Sequence, residues 1–225
     1  MNEQEWYIFS ENPEFLHSDN HISHPIEIFN RYAIEYDSKF GAETYKTALL
    51  HKFTEMLPDS LIQVLDMGCG PGNLSKFIHL NRPDSKFTLV DGSVEMIHVA
   101  QSKGLPGDFV HAPFSGKLHF EKRFNAIVCS FLANYLLKDE LHELIALLSS
   151  TLMKQGLLYF SLYTKDNPEF MLHSNAKNEK IITYIPNENN VIDLLKEYNL
   201  AIQDSYKIIS ARIPELNETY YICRK

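Results

Sequence analysis

The sequence predicts an α/β fold: a doubly wound, mostly parallel sheet of seven strands that ends in a C-terminal antiparallel hairpin. Three observations predict it. Short apolar runs alternate with helical stretches from about residue 61 onward, the rhythm of βαβ units. A glycine cluster, Gly68, Gly70 and Gly72, falls between the first of those runs and the next helical stretch. The last 25 residues abandon the alternation and read as two strands around a turn containing Pro214 and Asn217.

Residues 1–24 are polar with scattered aromatics (Trp6, Tyr7, Phe9, Phe15) and no sustained period, and they read as an extension partly ordered against a domain spanning 25–225. From Pro25, Ile26, Phe29, Ala33 and Tyr36 or Asp37 recur at three- and four-residue steps, which predicts an amphipathic helix. A second helix is expected over about 43–57, ending before Pro58. The strand runs are 61–67, 87–91, 109–112, 124–131, 157–163, 201–210 and 219–225. Between them the helical stretches are about 73–80, 93–102, 138–152 and 188–198. Residues 164–187 break the rhythm with polar residues and read as a long connection at the ligand-binding end of the sheet, where with the N-terminal extension it would shape a substrate pocket.

Composition narrows the function classes. With 225 residues, 44% of them hydrophobic, one domain buries a core without disulfide or metal staples. The net charge of −8 opposes a phosphate backbone, and the short mixed-sign run LHFEKRF is a solvated turn, so no nucleic acid is expected as partner. No apolar run approaches the roughly 20 residues of a membrane span, and the acidic N-terminus lacks a secretory pattern; the expectation is a cytoplasmic protein away from the membrane. Cys69, Cys129 and Cys223 are widely spaced, as suits a reducing compartment. His17, His21 and His24 have the i, i+4, i+7 spacing of a helical metal face, but Pro25 follows at once and no acid or thiol joins them, so no metal site is expected.

The chemistry concentrates in VLDMGCGPGN, residues 64–73. Glycines at a strand-to-helix turn accept positive φ and let a ligand approach the backbone, while the next helix offers free N–H groups to negative charge. Asp91 closes the following strand, 19 residues beyond Gly72, where a carboxylate accepts bonds from both hydroxyls of a ribose. Together they indicate an adenosine-containing ligand. A dinucleotide loop fits poorly, because GxGxxG would need a glycine at position 73, where this chain has Asn.

FNRYAIEYDSKFG, VLDMGCGPGN and LVDGSVEMIHVAQSK together resemble, in order and spacing, the corresponding segments of the class I S-adenosylmethionine-dependent methyltransferases, over about residues 25–225. The resemblance implies a Rossmann-like fold and S-adenosyl-L-methionine as cofactor. It implies that Asp66 with Gly68, Gly70 and Gly72 holds the methionine portion, that Asp91, with Gly92 beside it, binds the ribose, and that Met96 packs on adenine. Where the family often places an Asp after the third strand this chain has His111, Ala112 and Pro113, with Asp108 earlier; the Ala112 backbone or the His111 ring is expected beside the adenine amino group. CSFLANYL matches the segment lining the reaction pocket, so Ser130, Phe131, Asn134 and Tyr135 are expected near the methyl group. Tyr32 and Tyr36 share one helical face in a lid over the cofactor, with Tyr36 placed to bond the methionine carboxylate.

The function expected is methyl transfer by in-line displacement to a nucleophilic atom of a small-molecule acceptor, the atom, the acceptor and the oligomeric state left open. Tyr135 and His111 are the candidates for a catalytic base, chosen by position. His119, His142 and His173 carry no supporting pattern. Two other readings use the same pocket, a non-catalytic cofactor-binding regulatory module and a methyltransferase acting on a protein. An aminopropyltransferase would want acids in SFLANYL, which has none.

Overall fold

The structure, a computed structural model, describes residues 7–9, 24–41, 45–114, 118–174 and 179–225. In chain order its elements are β1 (Tyr7–Phe9), α1 (Pro25–Phe40), α2 (Tyr45–Glu55), β2 (Gln63–Met67), α3 (Asn73–Asn81), β3 (Lys86–Asp91), α4 (Val94–Ser102) and β4 (Gly107–His111). There follow β5 (Phe124–Ser130), a 3-10 turn (Leu132–Tyr135), α5 (Lys138–Thr151), β6 (Leu152–Thr164), β7 (Glu169–Ser174), β8 (Lys180–Ile185), α6 (Glu188–Glu197), β9 (Ala201–Ile209) and β10 (Asn217–Arg224).

Seven strands form the main sheet in the order β4-β3-β2-β5-β6-β10-β9. β2, β3, β4, β5 and β6 run parallel, and β10 is antiparallel to both β6 and β9. Apolar runs form these central strands because both faces are covered. Val64 packs with Phe53 of α2, Ile78 of α3 and Ala100 of α4, whereas its neighbours Leu65 and Met67 pack on the other face with Leu144 and Leu148 of α5 and Leu195 of α6. Ser93 caps α4 by accepting the Met96 N–H (3.2 Å), and Asn187 caps α6 by accepting that of Asn189 (2.8 Å). The order reverses between β2 and β5, so the two C-terminal strand ends diverge there and leave a crevice.

The segment 164–187 is not the loop expected from its polar residues. β7 and β8 pair antiparallel, and β1 joins β7 in register Tyr7↔Ser174 and Phe9↔Leu172, making a separate three-stranded sheet. One face of it packs Met171 and Ile185 against Ile213 and Leu216 of the β9–β10 turn. On the other, Tyr184 and Phe170 join the main core. Apolar groups on both faces hide the period-2 alternation that normally marks a strand. No helix among the described residues is long and apolar enough to cross a membrane.

Candidate functional site

The chain leaves β2 at Met67 and turns through Gly68, Gly70 and Gly72, all with positive φ. The N–H groups of Gly68 and Cys69 both donate to the Val90 carbonyl (2.8 and 3.0 Å), which ties the loop to the end of β3. A Cβ at Gly72 would come within 3.2 Å of Ala100 and Leu105, so this glycine serves packing. One at Gly70 would meet nothing within 4 Å, because Gly70 faces open space and leaves room for a ligand against the main chain.

Asp91 borders that space. Its Oδ2 accepts the Gly70 N–H and its Oδ1 the Ser93 N–H, each at 2.8 Å, so one carboxylate holds the glycine loop to the β3–α4 turn. Burial raises its pKa, while the N–H bonds from Ser93 and Gly70 pull it back. Asp66 lies deeper, 1% exposed, and accepts the Ser75 hydroxyl at 2.6 Å. Burial pushes its carboxyl up to about 7, only partly offset by that bond.

Between these groups lies a cavity of about 220 Å³ at the C-terminal ends of β2, β3 and β5. The glycine loop forms its floor and Asp91, Gly92 and Met96 one side. Ala112, Pro113 and Phe114 follow from the end of β4, and Ser130, Phe131, Leu132 and Tyr135 from the end of β5. α1 closes it with Ile26, Phe29 and Tyr36, and Phe29 meets Tyr36 and Tyr135 edge to face (5.8 and 5.1 Å). α1 is held over the site by side chains. Asn30 accepts the Ser93 hydroxyl (2.7 Å), Asp37 pairs with the largely buried Lys103 (2.6 Å), which also donates to Asn73, and Arg31 and Tyr32 both bind Glu179 ahead of β8.

Residues 64–156 match the family description of a methyltransferase domain, covering β2 through the start of β6 and hence the loop, the acid and the cavity floor. Over these residues the chain is similar to the methyltransferase domain family. It is 25% identical over 114 residues to a demethylmenaquinone methyltransferase of Thermotoga maritima (48% of this chain, 48% of that protein). Over 169 residues it is 25% identical to a malonyl-[acyl-carrier protein] O-methyltransferase of Bacillus cereus (72% of this chain, 61% of that protein). The matches thus span about half to three fifths of those relatives' own lengths. In fold the chain is similar to the N-methyltransferase NodS of Bradyrhizobium japonicum, solved with S-adenosyl-L-homocysteine, at a TM-score of 0.67 and 15% identity, covering 90% of this chain and 99% of that one.

Around this cavity the structure brings most of the expected residues to one place. Tyr36, Gly68, Gly70, Asp91, Gly92, Met96, Ala112, Ser130 and Tyr135 all line the cavity. Asp66 and Gly72 stand behind it. The Ala112 N–H is spent on the Asp91 carbonyl (2.9 Å). Ser130 shares a hydrogen bond with Ser161 (2.7 Å).

Several expectations are corrected. His111 does not line the cavity; it is exposed, with Nε2 3.0 Å from the Gly92 carbonyl, because it is the last residue of an outer strand and its ring turns back over the β3 end. Asp108 is exposed and pairs with Lys122 (3.3 Å). Asn134 is buried away from the cavity: its amide nitrogen donates to the carbonyls of Tyr163 and Tyr184 (3.1 and 2.9 Å) and its oxygen accepts the Tyr163 N–H (2.7 Å), joining the 3-10 turn to β6 and β8. Tyr32 departs from helical φ/ψ and donates to Glu179 (2.6 Å), so only Tyr36 of the pair faces the cavity. Tyr135 is no ready base, since burial raises its phenol well above the usual value. His173 is buried, bonded to Thr183 (2.6 Å), and lowered by burial to about 4. His17 and His21 lie outside the described residues. His24 caps α1, accepting the Ile26 N–H on Nδ1 (3.3 Å), and lines the cavity, as does Glu140, whose Oε2 accepts the Leu137 N–H (2.7 Å). Sequence reasoning missed both roles, although Pro25 after His24 and the acid in the first turn of α5 signal helix caps. Among the described residues no cluster of His, Cys, Asp and Glu is arranged to hold a metal ion.

Proposed function

We propose that this protein transfers the methyl group of S-adenosylmethionine to a nucleophilic atom of a small-molecule acceptor by in-line displacement. The observation that carries the reading is Asp91 bonded to the Gly70 N–H at the edge of an open cavity, with positive φ at Gly70 and no obstruction where its side chain would stand. The residues present fit the cofactor. Asp91 keeps lone pairs for two ribose hydroxyls, Met96 and Phe114 supply an apolar slot for adenine, and the loop N–H groups with the Tyr36 hydroxyl suit an amino-acid tail. When bound, this cofactor supplies a sulfonium methyl, an electrophile already activated.

The protein's own residues then position and exclude. α1, clamped by Asn30, Asp37 and Lys103, closes the cavity against water. Phe29, Phe131 and Tyr135 enclose the end next to the loop between β5 and the 3-10 turn, and the Tyr135 phenol stays protonated there and acts as a donor. Holding donor and acceptor at near-attack distance contributes about 7–11 kcal/mol in favourable cases, so positioning supplies most of the rate. The relatives named above act, by their names, on demethylmenaquinone and on malonyl-[acyl-carrier protein]. Their difference supports methyl transfer without selecting an acceptor.

The test is formation of S-adenosylhomocysteine, followed by mass spectrometry, with S-adenosylmethionine and a panel of phenols, amines and carboxylic acids. Turnover with at least one acceptor above the acceptor-free rate is expected. Tight nucleoside binding with no turnover across the panel favours the regulatory module instead.

A further inference from the structure

We propose that Glu140 receives a positively charged amino group of the methyl acceptor in the cavity beneath α1; the assignment rests on the methyl-transfer reading and adds the acceptor's chemical class to it. The starting point is the charge of the cavity. Among the described residues its lining holds the carboxylates of Asp91 and Glu140 and no Lys or Arg. His24 also lines it, and its Nδ1 accepts the Ile26 N–H, as the neutral ring does. Asp91 is engaged by the Gly70 and Ser93 N–H groups and by the ribose expected there. Glu140 is the remaining carboxylate. An anionic acceptor would meet like charge beside it, and an ammonium would be attracted.

The start of α5 fixes this side chain. Glu140 sits in the first turn of the helix, and its Oε2 accepts the Leu137 N–H at 2.7 Å, the reach-back bond of a capping box. The side chain is half-buried, and the described residues bring no donor to its other oxygen. One carboxylate oxygen is thus held in place while the second is open to a ligand. Glu140 also enters the cavity from a different side than the groups that fit the cofactor. α3 and α4, which follow the glycine loop and Asp91, pack on the Val64 face of the sheet, whereas α5 packs on the Leu65 face. In strand order β2 separates β3, which ends in Asp91, from β5, which leads to Glu140. The neighbouring rings select the same charge. Phe29 of α1 and Tyr135 of the 3-10 turn meet edge to face at 5.1 Å in this lining, and Phe114 adds a third ring from the end of β4. Aromatic faces are negative and attract cations. Rings and carboxylate together suit an ammonium carried on an apolar body.

Calorimetry on the full chain and on Glu140→Gln and Phe29→Leu tests this; glutamine keeps an oxygen for the Leu137 N–H, so the cap survives and the charge is lost. S-adenosylhomocysteine and 5′-methylthioadenosine, which lacks the amino-acid tail, are titrated first; Glu140→Gln is expected to leave both affinities within about twofold. The S-adenosylhomocysteine complexes are then titrated at neutral pH with benzylamine, phenethylamine and cyclohexylmethylamine, each against the alcohol of the same shape. At least one amine is expected to bind wild type about 10- to 100-fold more tightly than its alcohol. Glu140→Gln should erase that preference, and Phe29→Leu should reduce it. Unchanged thermal midpoints show that the variants fold, and the wild-type preference is read without any variant. The assignment is overturned if wild type prefers no amine or binds none, or if Glu140→Gln keeps the preference. It is overturned too if Glu140→Gln weakens both nucleosides, which places Glu140 on adenine, or weakens S-adenosylhomocysteine while sparing 5′-methylthioadenosine, which places it on the cofactor's own ammonium. Failure of wild type to bind either nucleoside instead removes the methyl-transfer reading itself.

Discussion

Replacing Asp91 by Ala isolates the contact on which the site turns. The carboxylate accepts two backbone N–H groups at 2.8 Å, and its remaining lone pairs face the cavity. Two ribose hydroxyls bonding a charged acceptor contribute about 1.5–3 kcal/mol each, together about 3–6 kcal/mol, or a factor of about 10² to 10⁴ in Kd. The fold should lose little. Burial already raises the Asp91 pKa, so removing the charge relieves a desolvation cost that offsets the two lost N–H bonds. The assay is isothermal calorimetry with S-adenosylhomocysteine, paired with urea unfolding to show that the variant is folded. An affinity within about threefold of wild type in a folded Asp91→Ala protein would refute the ribose assignment and, with it, the cofactor.

Three further outcomes are expected. Gly70→Ala and Gly72→Ala should separate binding from folding: the first meets open space and is expected to weaken S-adenosylhomocysteine more than it lowers the urea midpoint, while the second collides with Ala100 and Leu105 and does the reverse, with equal effects on both counting against the loop geometry. Asn134→Ala removes three hydrogen bonds to main-chain groups of β6 and β8 and should lower unfolding free energy by about 2–4 kcal/mol by chemical denaturation; a change below about 0.5 kcal/mol would show that the cross-link is idle. Asp66 is raised to about 7 from the 3.8 of a free carboxyl, so between those values the folded chain keeps a proton that the unfolded chain has released, and stability falls as pH rises from about 4 to 7, with Asp91 shifted the same way. Asp66→Asn should flatten that fall, measured by urea unfolding at pH 5 and pH 8; identical pH slopes in variant and wild type would mean that Asp66 ionises normally.

Much of the site was legible because its chemistry is local. The glycine turn joins one strand to one helix, and Asp91 ends the next strand, so parallel pairing in register Asp66↔Leu89 and Met67↔Val90 brings loop and acid together. The failures are all questions of which way a side chain turns. Asn134 and Tyr135 are adjacent in a 3-10 turn, yet one is buried in main-chain bonds and the other faces the cavity. Tyr32 and Tyr36 share a helical face in an ideal α-helix, and the break at Tyr32 sends its hydroxyl to Glu179, 147 residues away.

Periodicity and turn chemistry alone determined the α/β class, the seven strands of the main sheet, the helices and the ligand loop, because each rests on contacts between near neighbours in the chain. Tertiary structure decided the rest: the second sheet, whose strands are apolar on both faces because each face meets a different partner, and the walls of the cavity. Those walls come from α1, the ends of β4 and β5 and the start of α5, residues separated by up to 116 positions, from His24 to Glu140. What any one of them contacts is settled only when the sheet order has reversed between β2 and β5 and opened the crevice they surround.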